Sequence, residues 1–359
     1  MGAGPAAFGV YVHIPFCRKR CDYCSFATWT DRGHIVDDYT GAVVTDISRA
    51  VAAGMPAADT VFFGGGTPTL IGADHIARIL AAIPRTGGAE VTIECNPDDV
   101  TAEKMGAYVA AGVNRVSIGV QSMVPTVLAS LGREHDPDNV VRAVDIARRA
   151  GIGSVNLDLI YGAHGESLID WRASLGGALS LAPDHVSAYA LTVEAGTPLA
   201  DDPARHPDDD DQADKYVLAD EMLTGMGLVN YEISNWARPG HECRHNLVYW
   251  EQGNYTGFGC AAHSHADGRR WWNVRTPDRY VDLIARGESP MAADEILSPA
   301  TRTFERLELS LRTNRGVPVD ALDPDDEDLA GLVEVDGDRV VLTRAGRLLA
   351  NEISTRLNG

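Results

Sequence analysis

Cys17, Cys21 and Cys24 place three of the chain's six thiols within one short stretch, YVHIPFCRKRCDYC, directly after residues that read as a β-strand. Thiolates spaced this closely can wrap a single metal centre. Structural zinc normally takes four protein ligands, and no second CxxC pair is present, so a histidine would have to complete such a site. A redox pair built on Cys21 and Cys24 would need a helix start and would leave Cys17 without a role. A 4Fe-4S cluster held by three thiolates keeps one iron with an open coordination position, which invites a small ligand. In a reducing cytosol clustered cysteines are more often metal ligands or redox groups than disulfides. A second constellation lies far along the chain, where His245, Asn246, Tyr249 and Trp250 stand in RHNLVYW. It offers an imidazole able to ligate iron beside two flat apolar rings. The plainer reading of the same residues is a backbone-bonded loop with core aromatics.

Such groups need elements to position them. A chain of 359 residues with 45% hydrophobic composition can bury a large core and divides into about two domains. From residue 8 the β-rich runs FGVYVHI, TVFFGG, EVTIECN, RVSIGVQ, VNLDLIYG and HVSAYALT alternate with helical periodicity over 36–53, 75–83, 102–111, 139–149 and 168–181. Strand-helix alternation implies parallel strands with helices packed outside. Six such units are fewer than the eight that close a full barrel, so the expected fold is α/β, an incomplete open (β/α)6 barrel with its ligands at the strand C-terminal ends. Cys17 and the segments GGGTPT, ECNPD, GVQS and DLIYG all fall there.

The barrel is expected over 1–230. An irregular His- and Trp-rich segment should cover 231–275. The remainder, 276–359, reads as a helix around 300–312, a hairpin through Asp336-Gly337 and a final helix from Arg344, a small winged-helix-like domain.

With 31 Lys and Arg against 51 Asp and Glu, the formal charge is −20, which repels phosphate backbones. No dense basic stripe is present, so no nucleic-acid partner is expected. Acidic runs such as Asp208 to Asp211 and Asp323 to Asp328 read as solvated surface. No charged-then-apolar leader precedes Tyr11 and no apolar run is long enough to span a bilayer, so the expected setting is cytoplasmic with no membrane span.

The CxxxCxxC spacing at the end of a first barrel strand resembles the signature of the radical S-adenosylmethionine (SAM) enzymes, and GGGTP, Gly64 to Pro68, resembles their glycine motif. More narrowly, YVHIPFC, GGGTPT, GVQS, LGREH, DLIYG and RHNLVYW resemble the oxygen-independent coproporphyrinogen III oxidase group, and within it the HemW-type haem chaperone branch. The resemblance implies a 4Fe-4S cluster on Cys17, Cys21 and Cys24 whose open iron is chelated by the amino and carboxylate groups of SAM. It implies SAM contacts at Tyr11, Gly65, Gly66, Thr67, Glu94, Gln121, Arg133 and Asp158. The glycine loop is expected to be separate from the thiols, so that bulk at Gly65 should weaken SAM binding and leave the cluster intact.

The resemblance also implies haem at His245, Asn246, Tyr249 and Trp250. Arg244, Arg269 and Arg270 are then sources of charge for propionates, and Cys243, His241, His263 and His265 are rival iron ligands. Cys95 and Cys260 read as buried small hydrophobes. Where the family reads DLIYGLPGQT this chain has DLIYGAHGES, and His164 is expected to face solvent.

Three features separate a carrier from an oxidase. Phe26 stands where the oxidase has a fourth cysteine, only sixteen residues precede Cys17, and HNLVYW matches the carrier branch. The expected function is haem binding and delivery to haem-accepting proteins, with peripheral membrane contact left open. The alternative is the oxidase, acting by oxidative decarboxylation in porphyrin biosynthesis.

Overall fold

A computed structural model describes residues 7–358. The chain opens with β1 (Gly9–Ile14), α1 (Val36–Ala52), β2 (Ala58–Gly65), α2 (Ala73–Ala82), β3 (Arg85–Cys95), α3 (Ala102–Ala111) and β4 (Arg115–Gln121). Two helices, α4 (Pro125–Ser130) and α5 (Pro137–Ala150), lead to β5 (Ser154–Tyr161), which is followed by α6 (Leu168–Ser180), β6 (His185–Ala190) and α7 (Asp209–Gly225). Strands β1 to β6 pair with their sequence neighbours, all parallel.

Alternation decides which side chains face which layer. Val10, Val12 and Ile14 of β1 and Phe63 of β2 are fully buried in the apolar layer beneath the helices. Tyr11 and His13 point the other way, into the barrel. That inner face is polar: Glu94, Ser117, Asn156, Asp158, His185 and Ser187 succeed one another across β3 to β6.

The sheet does not close. The segment expected to be irregular instead forms β7 (Val229–Glu232), β8 (Asn235–Ala237), α8 (Arg244–Trp250), β9 (Tyr255–Phe258), β10 (His263–Ala266) and β11 (Arg269–Asn273). After α9 (Pro277–Ala285), β12 (Met291–Ile296) completes a twelve-stranded sheet in the order β12-β11-β10-β9-β1-β2-β3-β4-β5-β6-β8-β7. The flanks of the barrel are therefore held by later strands. β9 runs parallel to β1, and β8 runs antiparallel to β6. Strands of three to five residues rich in Gly, His and Trp carry too little alternation to be read from sequence alone.

Helix α7 was hidden for a related reason. Its acidic start is solvated, with Asp208 to Asp210 exposed as expected, and it also builds the helix end: Asp208 accepts from the Asp211 amide, and Asp209 to Asp211 fill the first turn, where negative charge suits the helix dipole. One turn on, fully buried Lys215 donates to Asp211 and to the Glu166 carbonyl. A buried lysine breaks the apolar stripe that would have announced the helix.

The C-terminal part comprises α10 (Pro299–Leu311), β13 (Val317–Pro318), β14 (Val333–Asp336), β15 (Arg339–Leu342), α11 (Arg344–Leu348) and α12 (Ala350–Ser354), with a three-stranded sheet in the order β13-β15-β14. Asp336 pairs with Arg339 and Gly337 turns the hairpin at φ +62°. This part grips the barrel through buried Asp220 of α7, which accepts from Arg344, Arg347 and the Trp236 indole at 2.8, 3.1 and 2.9 Å. No helix among the described residues is long and apolar enough to cross a membrane.

Candidate functional site

The cysteine loop and the glycine loop leave adjacent parallel strands and are laced together by backbone hydrogen bonds. Gly66 N–H donates to Ile14 O and Thr67 N–H to Phe16 O, both at 2.8 Å. Cys17 N–H donates to Trp29 O at 3.0 Å, and Cys24 N–H to Cys21 O at 3.2 Å, which folds the thiols into a compact turn. From the far side Asp22 accepts from Arg205 at 2.9 Å. The two loops leave different strands, as expected, but they are in direct backbone contact through Gly66 and Thr67. A Cβ on Gly66 would lie 2.7 Å from Phe16 O and 3.1 Å from Cys17 Sγ, and one on Gly65, at φ +107°, would lie 2.4 Å from the His13 ring.

All three thiols border one cavity of about 1320 Å³ at the strand C-terminal ends. So do Gly65, Gly66, Thr67, Glu94, Gln121, Arg133 and Asp158. Thr67 Oγ1 donates to Cys17 Sγ at 3.7 Å, and Arg133 reaches Cys21 Sγ at 3.6 Å while donating to Gly119 O at 3.0 Å. Gln121 ends β4 with φ +62°, a left-handed conformation uncommon for a side-chain-bearing residue.

Burial, reinforced by Asp158, pushes the Glu94 carboxyl up to about 8, although Gly65 N–H donates to its Oε2 at 3.1 Å. Burial likewise raises Asp158, which Ser117 and Asn156 hold at 2.7 Å each. It also raises the Cys17 and Cys24 thiols.

Tyr11 is the exception among the SAM contacts implied by resemblance, since it lies below the cavity. Its hydroxyl donates to His13 Nδ1 at 3.1 Å, and His13 Nε2 donates to Ala27 O at 2.9 Å. His13 therefore supports both loops from beneath. Sequence reasoning missed it, although it stands in the quoted YVHIPFC. Phe26 is 62% exposed beside the cavity, and His164 faces solvent ahead of a capping box in which Ser167 and Asp170 start α6. Cys95 and Cys260 are buried, as their reading as small hydrophobes requires.

The donor set fits a cluster carrying an amino-acid-like ligand. It supplies three soft thiolates, a guanidinium for a carboxylate, carboxylates for an ammonium or ribose hydroxyls, and glycines that let backbone approach closely. Among the described residues no group of His, Cys, Asp or Glu converges on a single-ion site.

HNLVYW lies at the opposite end of the barrel, where α8 plugs the strand N-terminal ends. His245 is 1% exposed. Its Nδ1 bonds Thr60 Oγ1 and its Nε2 bonds the Tyr249 hydroxyl, each at 2.8 Å. Its backbone amide donates to Glu90 at 3.1 Å, and its ring stacks on Phe62 with centroids 5.3 Å apart. Burial drives its pKa down to about 3. In this conformation neither ring nitrogen is open to iron, and none of His245, Asn246, Tyr249 and Trp250 borders the thiol cavity.

Three of the four rival ligands are also engaged. Cys243 is buried against Glu90, His241 bonds Ser154, and both nitrogens of His265 are bonded. His263 is exposed and stacks on Trp272. Two of the expected propionate partners already serve carboxylates. Arg269 pairs with Asp294 at 2.9 Å, and Arg270 pairs with Glu295 and Glu305 at 2.7 and 3.1 Å. Arg244 donates to Gly88 O.

The radical SAM superfamily model matches residues 11–175, the stretch that carries both loops and the inner polar face from β3 to β5. A heme chaperone HemW of Mycobacterium tuberculosis (strain H37Rv) is 41% identical, the alignment covering 98% of this chain and 95% of that protein. The chain belongs to the HemW family. The Bacillus subtilis HemW is 35% identical over 96% of this chain and 97% of its own length, and the Escherichia coli HemW is 36% identical over 96% of each. Among solved structures, coproporphyrinogen III oxidase (HemN) from Escherichia coli, a radical SAM enzyme, superposes with a TM-score of 0.85 over 98% of this chain and 89% of that one. At 24% identity that likeness concerns the fold.

Proposed function

We propose that the chain is a haem carrier that binds haem and passes it to acceptor haemoproteins, and that it holds a 4Fe-4S cluster with SAM at the barrel mouth. The carrier part rests on relatives that bear the name heme chaperone and align with nearly the whole chain. The cofactor part rests on one observation, that three thiols and seven polar or glycine residues from five strand ends border a single cavity. When bound, the cluster supplies a redox-active centre with one iron open to the amino and carboxylate groups of SAM.

The protein's own residues bind and orient. Cys17, Cys21 and Cys24 supply thiolates, and Arg133 lies where it can neutralise both a thiolate and a carboxylate. Glu94 and Asp158 accept from amine and ribose groups, while Gly65 and Gly66 leave backbone uncovered. Haem is assigned to the α8 residues His245, Asn246, Tyr249 and Trp250, with His245 as the iron ligand, which requires α8 to leave its closed position. A cytoplasmic setting and the expected division into barrel, connecting segment and C-terminal domain belong to the same reading.

The test is anaerobic reconstitution followed by iron and sulfide analysis, haem titration, and mixing of the haem-loaded protein with an apo-haemoprotein. About four irons per chain, saturable haem binding and transfer to the acceptor are expected. Haem that binds but is never released would remove the carrier reading.

A further inference from the structure

The loop between α4 and α5 is fastened to the cysteine loop one residue at a time. A Cβ on Gly132, at φ +71°, would lie 2.7 Å from Asp22 Oδ1, Arg133 reaches Cys21 Sγ at 3.6 Å, and Glu134 accepts from Lys19 Nζ at 2.6 Å. His135 comes next. Asp136 then caps α5 by accepting from the Asp138 amide at 2.9 Å, so the backbone on both sides of His135 is fixed. Every residue from Gly132 to His135 borders the cavity that the three thiols border.

His135 is only 5% exposed, yet neither nitrogen of its ring has a hydrogen-bond partner. Buried polar groups are normally paired. The carboxylates around it are used elsewhere: Asp98 accepts from Asn139 at 2.5 Å, and Asp136 is the α5 cap. The Val120 carbonyl on β4 comes near enough to act on the ring, but a carbonyl can satisfy only a ring N–H. Burial, together with the Arg133 charge, lowers the His135 pKa to about 4. The imidazole is therefore neutral near neutral pH, with one donor and one acceptor nitrogen. The acceptor nitrogen has no donor among the described residues.

We infer that His135 is a further SAM-binding residue, whose unprotonated ring nitrogen accepts a hydrogen bond from the amine of the aminoacyl group. This rests on the reading that SAM occupies the barrel mouth. Arg133, on the same pinned loop, stands where it can pair the SAM carboxylate, and the amine is carried by the same carbon as that carboxylate. A side chain two residues along the loop meets the same end of the ligand. Turning the ring toward the cavity breaks no hydrogen bond, because the ring makes none in this conformation.

Ribose hydroxyls are donors too, and the experiment separates them from the amine. Anaerobically reconstituted full-length protein is compared with His135→Leu and His135→Gln, first for iron and sulfide content and Tm. Equilibrium binding then follows for SAM, for S-adenosylhomocysteine and for 5′-methylthioadenosine, which keeps ribose and adenine but lacks the aminoacyl group. In His135→Leu, affinity for SAM and S-adenosylhomocysteine should fall about tenfold, the effect of one lost hydrogen bond with its donor left unpaired. Affinity for 5′-methylthioadenosine and the cluster content should be unchanged. Tm should be equal or higher, since an apolar side chain replaces a buried imidazole with unmet hydrogen bonds. His135→Gln keeps an acceptor and should recover part of the lost affinity. Undiminished SAM affinity in a folded leucine variant overturns the assignment, as does an equal loss for 5′-methylthioadenosine, which would move the contact to ribose or adenine. A lowered Tm with cluster iron lost makes the ring structural and overturns it too. Wild-type protein that carries a full cluster and binds no SAM fails the cofactor reading itself, an outcome separate from any behaviour of the variants.

Discussion

The backbone amide of Gly65 donates to Glu94 Oε2 at 3.1 Å, joining the glycine loop after β2 to the carboxylate near the end of β3. The bond offsets only part of the burial, which together with Asp158 still raises the Glu94 pKa from 4.5 to about 8. A carboxyl raised in this way is protonated in the native state over a range where the unfolded chain has released the proton. Its contribution to stability is therefore full below pH 4.5 and is lost as pH rises toward 8. The Tm of the cofactor-free protein should fall between pH 5.5 and 8.5 (about the limits of this window), with a shallower fall in Glu94→Gln. Identical slopes in the two proteins would show that Glu94 does not carry the effect.

Because Gly66 packs on the cysteine loop, Gly66→Ala should lose cluster iron and SAM affinity together. The added Cβ would lie 2.7 and 2.8 Å from the Phe16 and Ile14 backbone oxygens, which cannot rotate away, and 3.1 Å from Cys17 Sγ. Iron and sulfide content measured beside equilibrium SAM binding decides this. A full cluster with SAM binding abolished would restore the picture of two independent loops.

The thiols divide by position. Serine at Cys17, Cys21 or Cys24 should abolish reconstitution of the cluster, whereas serine at Cys260, buried beside Tyr39 and outside the cavity that the three thiols border, should leave iron per chain unchanged. Retention of full iron content in a Cys17→Ser, Cys21→Ser or Cys24→Ser protein counts against a three-thiolate cluster.

Asp220 joins the C-terminal part to the barrel. Asp220→Ala should cost about 2 kcal/mol, because it leaves the Trp236 indole N–H buried without its acceptor and frees Arg344 and Arg347. Urea unfolding followed by tryptophan fluorescence measures the loss. A midpoint unchanged from wild type would assign the contact no energetic role.

The six parallel strands were legible because each alternates cleanly or runs apolar for several residues, and the thiol spacing and glycine loop were legible because they are local. What the sequence hid was non-local. The lacing of Gly66 and Thr67 onto Ile14 and Phe16 depends on the register of β1 against β2, which no local pattern encodes. His13 looked like one more strand residue until its ring was found wedged beside Gly65. The HNLVYW segment reads equally as loop or helix, and only the hydrogen bonds from His245 to Thr60 and Tyr249 reveal that its imidazole is shut in.

The central claim, that this radical SAM fold serves a carrier and not an oxidase, is tested most directly by one assay on one sample. Anaerobically reconstituted protein with intact cluster, SAM and reductant is incubated with coproporphyrinogen III, and the same preparation is titrated with haem. The account predicts haem uptake approaching about one per chain, as a single axial histidine site allows, and no loss of propionate carboxyl groups from coproporphyrinogen. Sustained decarboxylation of coproporphyrinogen III by that sample would contradict it.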